Sequence, residues 1–137
     1  MNDAQYEKKF IDVNGIKTCY IEQGSGEPLI LIHGALHDHF VWKPLVTRLA
    51  RDGLNVLAPD LPGHGRSGGL PLPSIEAMAD WLVALLEKLG SGGTAPTTLV
   101  GHSMGSLIAL EAAARLSGRV RHLGMVGTAL PMPAAPA

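Results

Sequence analysis

Short apolar, strand-like runs alternate with helix-like stretches along most of the chain. That alternation constrains the fold more than any other feature of the sequence. Residues 29–33 (LILIH) form a continuous apolar run, the pattern of a strand buried on both faces of a parallel sheet. Residues 39–52 predict a helix, with Val41, Leu45, Val46 and Leu49 at helical spacing; Pro44 must then sit in its first turn or break the element, and Gly53 suits the C′ position. Residues 54–59 (LNVLAP) predict the next strand. Ser74 then reads as an N-cap, and Ile75, Met78, Ala79, Leu82, Leu85, Leu86 and Leu89 form one apolar face that ends at Gly90. A strand over 97–101 (TTLVG), a helix over 103–116 ending at Gly118 and a strand over 120–127 follow. Ahead of all these, residues 6–13 and 16–23 flank Asn14-Gly15, a strong hairpin signal. Strands alternating with helices imply an α/β fold: a mostly parallel sheet covered on both faces.

The 137 residues are enough for one domain or a piece of one, and 46% hydrophobic residues are enough for a core. Eleven Lys+Arg against twelve Asp+Glu leave a net charge of -1, so nothing points to nucleic acid or to an anionic membrane. The single cysteine, Cys19, excludes a disulfide scaffold. The first ten residues, MNDAQYEKKF, lack the apolar run of a signal peptide. No stretch reaches the ~18–20 apolar residues of a membrane helix. The expectation is a cytoplasmic protein.

One motif carries chemistry. Gly101-His102-Ser103-Met104-Gly105 is a G-x-S-x-G, placed after an apolar strand and opening a helix. A sharp strand-to-helix turn forces the serine into a strained conformation. Side chains at the two flanking glycines would collide there, so both positions want no Cβ. The serine hydroxyl then stands clear at the carboxyl end of the sheet. The Met104 amide, at the positive end of the helix, points to the same space and can donate to an oxyanion. By itself G-x-S-x-G arises by chance in glycine-rich sequence, and the strand–turn–helix context gives it weight.

Three segments carry a resemblance. LILIHGALHDHFVW, VLAPDLPGHGRS and LVGHSMGS, in this order and spacing, resemble the α/β-hydrolase superfamily, closest to its esterase, lactonase and carbon–carbon-bond hydrolase branch. The resemblance covers nearly the whole chain. It implies an incomplete α/β-hydrolase sheet of about the first six strands, with 1–127 as core and 128–137 (ALPMPAAP within it) as the start of a cap-domain connection. It implies Ser103 as nucleophile, with the amides of Ala35 and Met104 as oxyanion hole. His33, Gly34, Gly101 and Gly105 support the two motifs, His33 as a hydrogen-bonded structural residue. The substrate it implies is a small carboxylic ester or lactone. Serine at the elbow argues against dehalogenase or epoxide-hydrolase chemistry, which needs a carboxylate nucleophile.

Competing motifs fall away. Gly63–Gly68 matches G-x-G-x-x-G, but Pro71 and Pro73 follow at once, so no helix opens to meet a dinucleotide pyrophosphate. No P-loop is present. The histidines have no Cys partners and no H-E-x-x-H, so His37 and His39 read as loop residues rather than metal ligands. No metal or cofactor is expected.

A serine nucleophile needs a base, and the base needs an orienting acid. After Ser103 the sequence holds one acid, Glu111, about 12 Å along the helix, and one histidine, His122, at the amino end of its strand. Neither suits the role. The family resemblance puts the acid and base beyond the cap, after the seventh and eighth strands. The expectation is therefore a truncated chain, or a second polypeptide that supplies the carboxyl-terminal half. A second copy could cover the open strand at 120–127 but not complete the triad. The alternatives are a non-catalytic hydrolase-like binding or sensor protein, or an inert fragment.

Overall fold

A computed structural model of the chain describes residues 8–90 and 96–128. Among these residues, six strands form one sheet: β1 (Lys8–Val13), β2 (Ile16–Gln23), β3 (Glu27–Ile32), β4 (Leu54–Pro59), β5 (Thr97–His102) and β6 (Val120–Val126). Their spatial order is β1-β2-β4-β3-β5-β6. β3, β4, β5 and β6 run parallel, and the β1–β2 hairpin joins antiparallel through β2 and β4. Asn14 and Gly15 both have positive φ, 52° and 85°, which matches the twist of a two-residue hairpin turn.

Among the described residues, three helices cover the sheet: α1 (Lys43–Arg51) on one face, α2 (Ile75–Leu89) and α3 (Met104–Arg115) on the other. β3 explains why its sequence is apolar without interruption. Ile30 and Ile32 face the α2/α3 core, with Leu82, Leu85, Leu86, Ile108 and Ala112. Leu29 and Leu31 face Trp42 and Val46 on the α1 side. Each such side chain removed from water contributes about 1.5–3 kcal/mol. Ser74 caps α2 by accepting from the Ala77 amide at 3.0 Å, and Gly90 closes it at φ 77°. Trp81, outside the predicted apolar face of α2, is buried and its indole N–H donates to Thr18.

The helix predicted over 39–52 is two elements. A 3-10 turn spans His39–Trp42, and α1 begins at Lys43. Pro44 has no N–H to give to the carbonyl four residues back, so the α-helical ladder cannot extend through it. The break rotates the apolar face: Trp42 and Val46 are buried, whereas Val41 and Leu45 are exposed. The strand predicted over 29–33 is displaced to Glu27–Ile32, and the helix predicted from residue 103 starts at Met104. Residues 62–66 form turns, and no helix opens at the glycine run; the next helix begins only at Ile75. The expected amino-terminal segment to residue 7, the loop at 91–95 and the cap connection from residue 129 lie outside the described residues. Among the described residues, no helix is long and apolar enough to cross a membrane.

Candidate active site

The site forms where β3 and β5 end side by side, with Ile32 paired to Gly101. Ser103 sits between β5 and α3 at φ 57°, ψ -121°, a conformation that costs an L-residue of order 1–3 kcal/mol. The surroundings over-determine it. Its N–H donates to the Val126 carbonyl at 2.9 Å, and its carbonyl accepts from the Ser106 amide at 2.9 Å. The flanking glycines are required by backbone contact. A Cβ on Gly101 would overlap the Gly105 carbonyl, and a Cβ on Gly105 would overlap the carbonyls of Ile32 and His33. The glycine spacing therefore lets the first turn of α3 seat directly on the ends of β3 and β5.

The loop after β3 lies against this turn. A Cβ on Gly34 would come within 3.2 Å of the Ser103 Cβ and 3.7 Å of the Met104 nitrogen. Ala35 follows at once, and Leu36 holds φ 64° with its side chain 93% exposed. Among the described residues neither the Ala35 nor the Met104 amide donates a hydrogen bond. Ala35, Leu36, His64, Leu72, Met78 and Met104 line a cavity of about 190 Å3. His64 brings the polar ring of this lining. Its Nδ1–H donates to the Pro62 carbonyl at 3.0 Å.

His33 is fully buried, and both ring nitrogens are used. Nδ1–H donates to the Gly34 carbonyl at 2.7 Å, and Nε2 accepts from the Leu61 amide at 3.0 Å. That pair of bonds fixes the neutral tautomer. Burial pushes its pKa down to about 4, against the opposing pull of the Gly34 carbonyl. The ring thus ties the β3 loop to the end of β4 and has no lone pair left for a proton shuttle.

A second tie was not visible in the sequence. Asp60 is fully buried, and its Oδ1 accepts from the His39 amide at 2.7 Å and the His39 ring Nδ1 at 2.9 Å. Its Oδ2 accepts from the Arg66 amide at 3.0 Å, and Gly65 leaves the room this needs. Burial raises the Asp60 pKa, but the bonds from His39 and the Arg66 amide outweigh it and hold the carboxyl below its usual range. His39 is therefore a buried structural partner, not the loose loop residue its position implied. Cys19 lies beside the pair, close enough for the three side chains to share an ion. Each Asp60 oxygen is already occupied by N–H donors, and burial, reinforced by the Asp60 charge, pushes the thiol up to about 11. These donors and a protonated thiol make a hydrogen-bonded knot that does not suit a metal.

Glu111 is on α3, where it pairs with Arg115 at 3.3 Å. His122 is exposed near the start of β6, paired with Thr98, whereas the Ser103 end of the sheet is marked by the His102–Val126 pair. Neither reaches Ser103. His102, just before the serine, stacks on His37 at 6.1 Å and meets Trp42 edge-on at 6.4 Å.

The fold, the turn at Ser103 and the loop at Gly34 are those of a known class. A family model described as alpha/beta hydrolase fold matches residues 27–137. The chain belongs to the α/β-hydrolase family. It is similar to the (E)-2-((N-methylformamido)methylene)succinate hydrolase of Acinetobacter baylyi, at 40% identity over 65% of this chain and 33% of that protein. It is also similar to a haloalkane dehalogenase of Sphingobium indicum, at 33% identity over 92% of this chain and 44% of that protein. Among solved structures, a membrane phospholipase A described as a bacterial virulence factor superposes with a TM-score of 0.83 at 28% identity. That match covers 92% of this chain and 41% of the other. The chain spans less than half the length of each of these proteins.

Proposed function

We propose that the chain is the nucleophile-bearing part of a serine hydrolase acting on a small carboxylic ester or lactone. The observation that carries this reading is Ser103 itself. A hydroxyl-bearing residue is held at φ 57° between two obligatory glycines and directly precedes Met104, which lines an apolar cavity together with Ala35; neither of those two amides donates a hydrogen bond among the described residues. In the proposed reaction the Ser103 oxygen bonds to the acyl carbon, and its proton passes to a base. The tetrahedral oxyanion is held by the Ala35 and Met104 amides until the alcohol leaves with a proton. Water then cleaves the acyl-enzyme. A serine cannot replace the carboxylate nucleophile that dehalogenation and epoxide opening need, so the likeness to the Sphingobium protein is taken as one of fold.

The acid and base of this mechanism are proposed to come from a carboxyl-terminal half, either as further residues of a longer protein or as a second chain. Support comes from the positions of Glu111 and His122 and from β6. That strand pairs on one side with β5, and among the described residues nothing pairs with its other side. Met125 and Val126 are 38% and 50% exposed there. A fluorophosphonate probe tests the reading. Labelling of Ser103 when the carboxyl-terminal half is present, and its loss on Ser103→Ala, are expected. The 137 residues alone should label far more slowly. Absence of labelling in the assembled protein would favour a binding or sensor role instead.

A further inference from the structure

Ser103 and Met104 share one peptide unit. In a planar trans peptide the C=O and the following N–H point in opposite directions. Whatever holds the Ser103 carbonyl therefore aims the Met104 N–H. The carbonyl is held twice: by the Ser106 amide at 2.9 Å and by the Ser106 hydroxyl at 2.5 Å. The Ser106 hydroxyl in turn accepts from the hydroxyl of Thr128. Donation runs one way, from Thr128 to Ser106 to the Ser103 carbonyl.

The second bond is not needed for burial alone. The Ser106 amide already satisfies the Ser103 carbonyl in the ordinary manner of a helix start, and an alanine at 106 would leave no polar group to satisfy. Ser106 is instead a fully buried hydroxyl, which costs free energy unless it is bonded. A carbonyl polarised by two donors makes the N–H of its own peptide a stronger donor, because hydrogen bonds in a chain reinforce one another. Thr128, half-buried just beyond β6, adds a third member to that chain.

We propose that Ser106 and Thr128 form a hydroxyl relay that aims and strengthens the Met104 amide, making both positioning residues for the oxyanion site. The role at the oxyanion rests on the reading of Ser103 above; the relay and its effect on the Met104 amide do not. The relay begins where the chain leaves the sheet, so the segment after β6 is coupled to the nucleophile turn through Thr128 as well as through the Val126 carbonyl.

The test is the amide spectrum of the 15N-labelled chain with Thr128→Val, Thr128→Ser and Ser106→Ala. Thr128→Val keeps the shape and removes the donor; Thr128→Ser keeps the donor. The expected result is an upfield shift of the Met104 15N resonance and about fivefold slower base-catalysed exchange of its N–H in Thr128→Val and Ser106→Ala, since among the described residues that N–H donates to no acceptor and exchanges according to its acidity. Thr128→Ser should match the unmodified chain. Amides of β1 and β2 serve as the control for folding. If Ser106→Ala does not fold, the two Thr128 variants decide the matter. An unmoved Met104 resonance in Thr128→Val overturns the proposal, as does an equal shift in Thr128→Ser. The readout involves no turnover, so failed labelling of Ser103 and failure of the relay are separate results.

Discussion

The two loops that meet at Ser103 are held by opposite means. The turn at 101–106 is fixed by what its side chains lack: two glycines let backbone lie directly on backbone. The loop after β3 is fixed by what its side chains carry. His33 and His39 reach across to the Leu61 amide and to Asp60, where β4 ends. Close backbone contact is absolute, since an added carbon has nowhere to go. A polar tie is graded, since each bond can be removed or titrated separately. The turn at Ser103 should therefore fail all at once, and the loop after β3 by degrees.

The sharpest break is Gly105→Val. Its Cβ would overlap two carbonyls that cannot move without displacing β3, so no folded chain is expected. A cooperative thermal transition for this variant would show that the turn is not held by backbone contact. Asp60→Ala comes next. It leaves the His39 and Arg66 amides and the His39 ring without their acceptor, and a loss of at least about 3 kcal/mol is expected by urea denaturation. A loss under 1 kcal/mol would mean that the tie is replaceable.

Acid should loosen the polar tie in a defined window. His33 has a folded pKa of about 4, below the ordinary 6.5, so the unfolded chain binds more protons between these values. Its contribution, of order 3 kcal/mol, is complete above pH 6.5 and is lost as the pH falls to about 4. Asp60, with its pKa lowered, adds a further loss only below the ordinary carboxylate value of 3.8. Urea midpoints measured across this range should fall with pH, and His33→Gln should flatten the fall between 6.5 and 4. An unchanged slope in that variant would assign the acid sensitivity elsewhere. The smallest effect is expected for Ser103→Ala, which removes a hydroxyl and leaves the glycine contacts intact. A stability change within about 0.5 kcal/mol is expected by calorimetry.

The same contrast explains what the sequence made legible. The glycine turn is local: its five residues are contiguous, and each glycine answers a contact dictated by the turn. The hairpin at Asn14-Gly15, the cap at Ser74 and the stop at Gly90 were readable for the same reason. The Asp60–His39 pair was not, because 21 residues separate the two, and an aspartate before Leu-Pro-Gly looks like ordinary turn chemistry. Neither was the order of strands, which depends on crossovers that no residue pattern encodes. The break at Pro44 was half legible. A proline there implies either a first turn or a break; the apolar spacing of 39–52 does not show that α1 begins only at Lys43.

The position of β3 in the middle of the sheet has a consequence during synthesis. The strand gains its β4 neighbour early, but Leu29 waits for Thr98 on its other side. At 5–20 residues per second, the roughly 70 intervening residues take about 4–14 s to emerge from the ribosome. For that interval the most apolar stretch of the chain presents a bare edge and an uncovered face. The chain is thus most prone to associate with its neighbours on a polysome, before β5 has been made, and slowing translation before residue 97 should lower the yield of soluble protein.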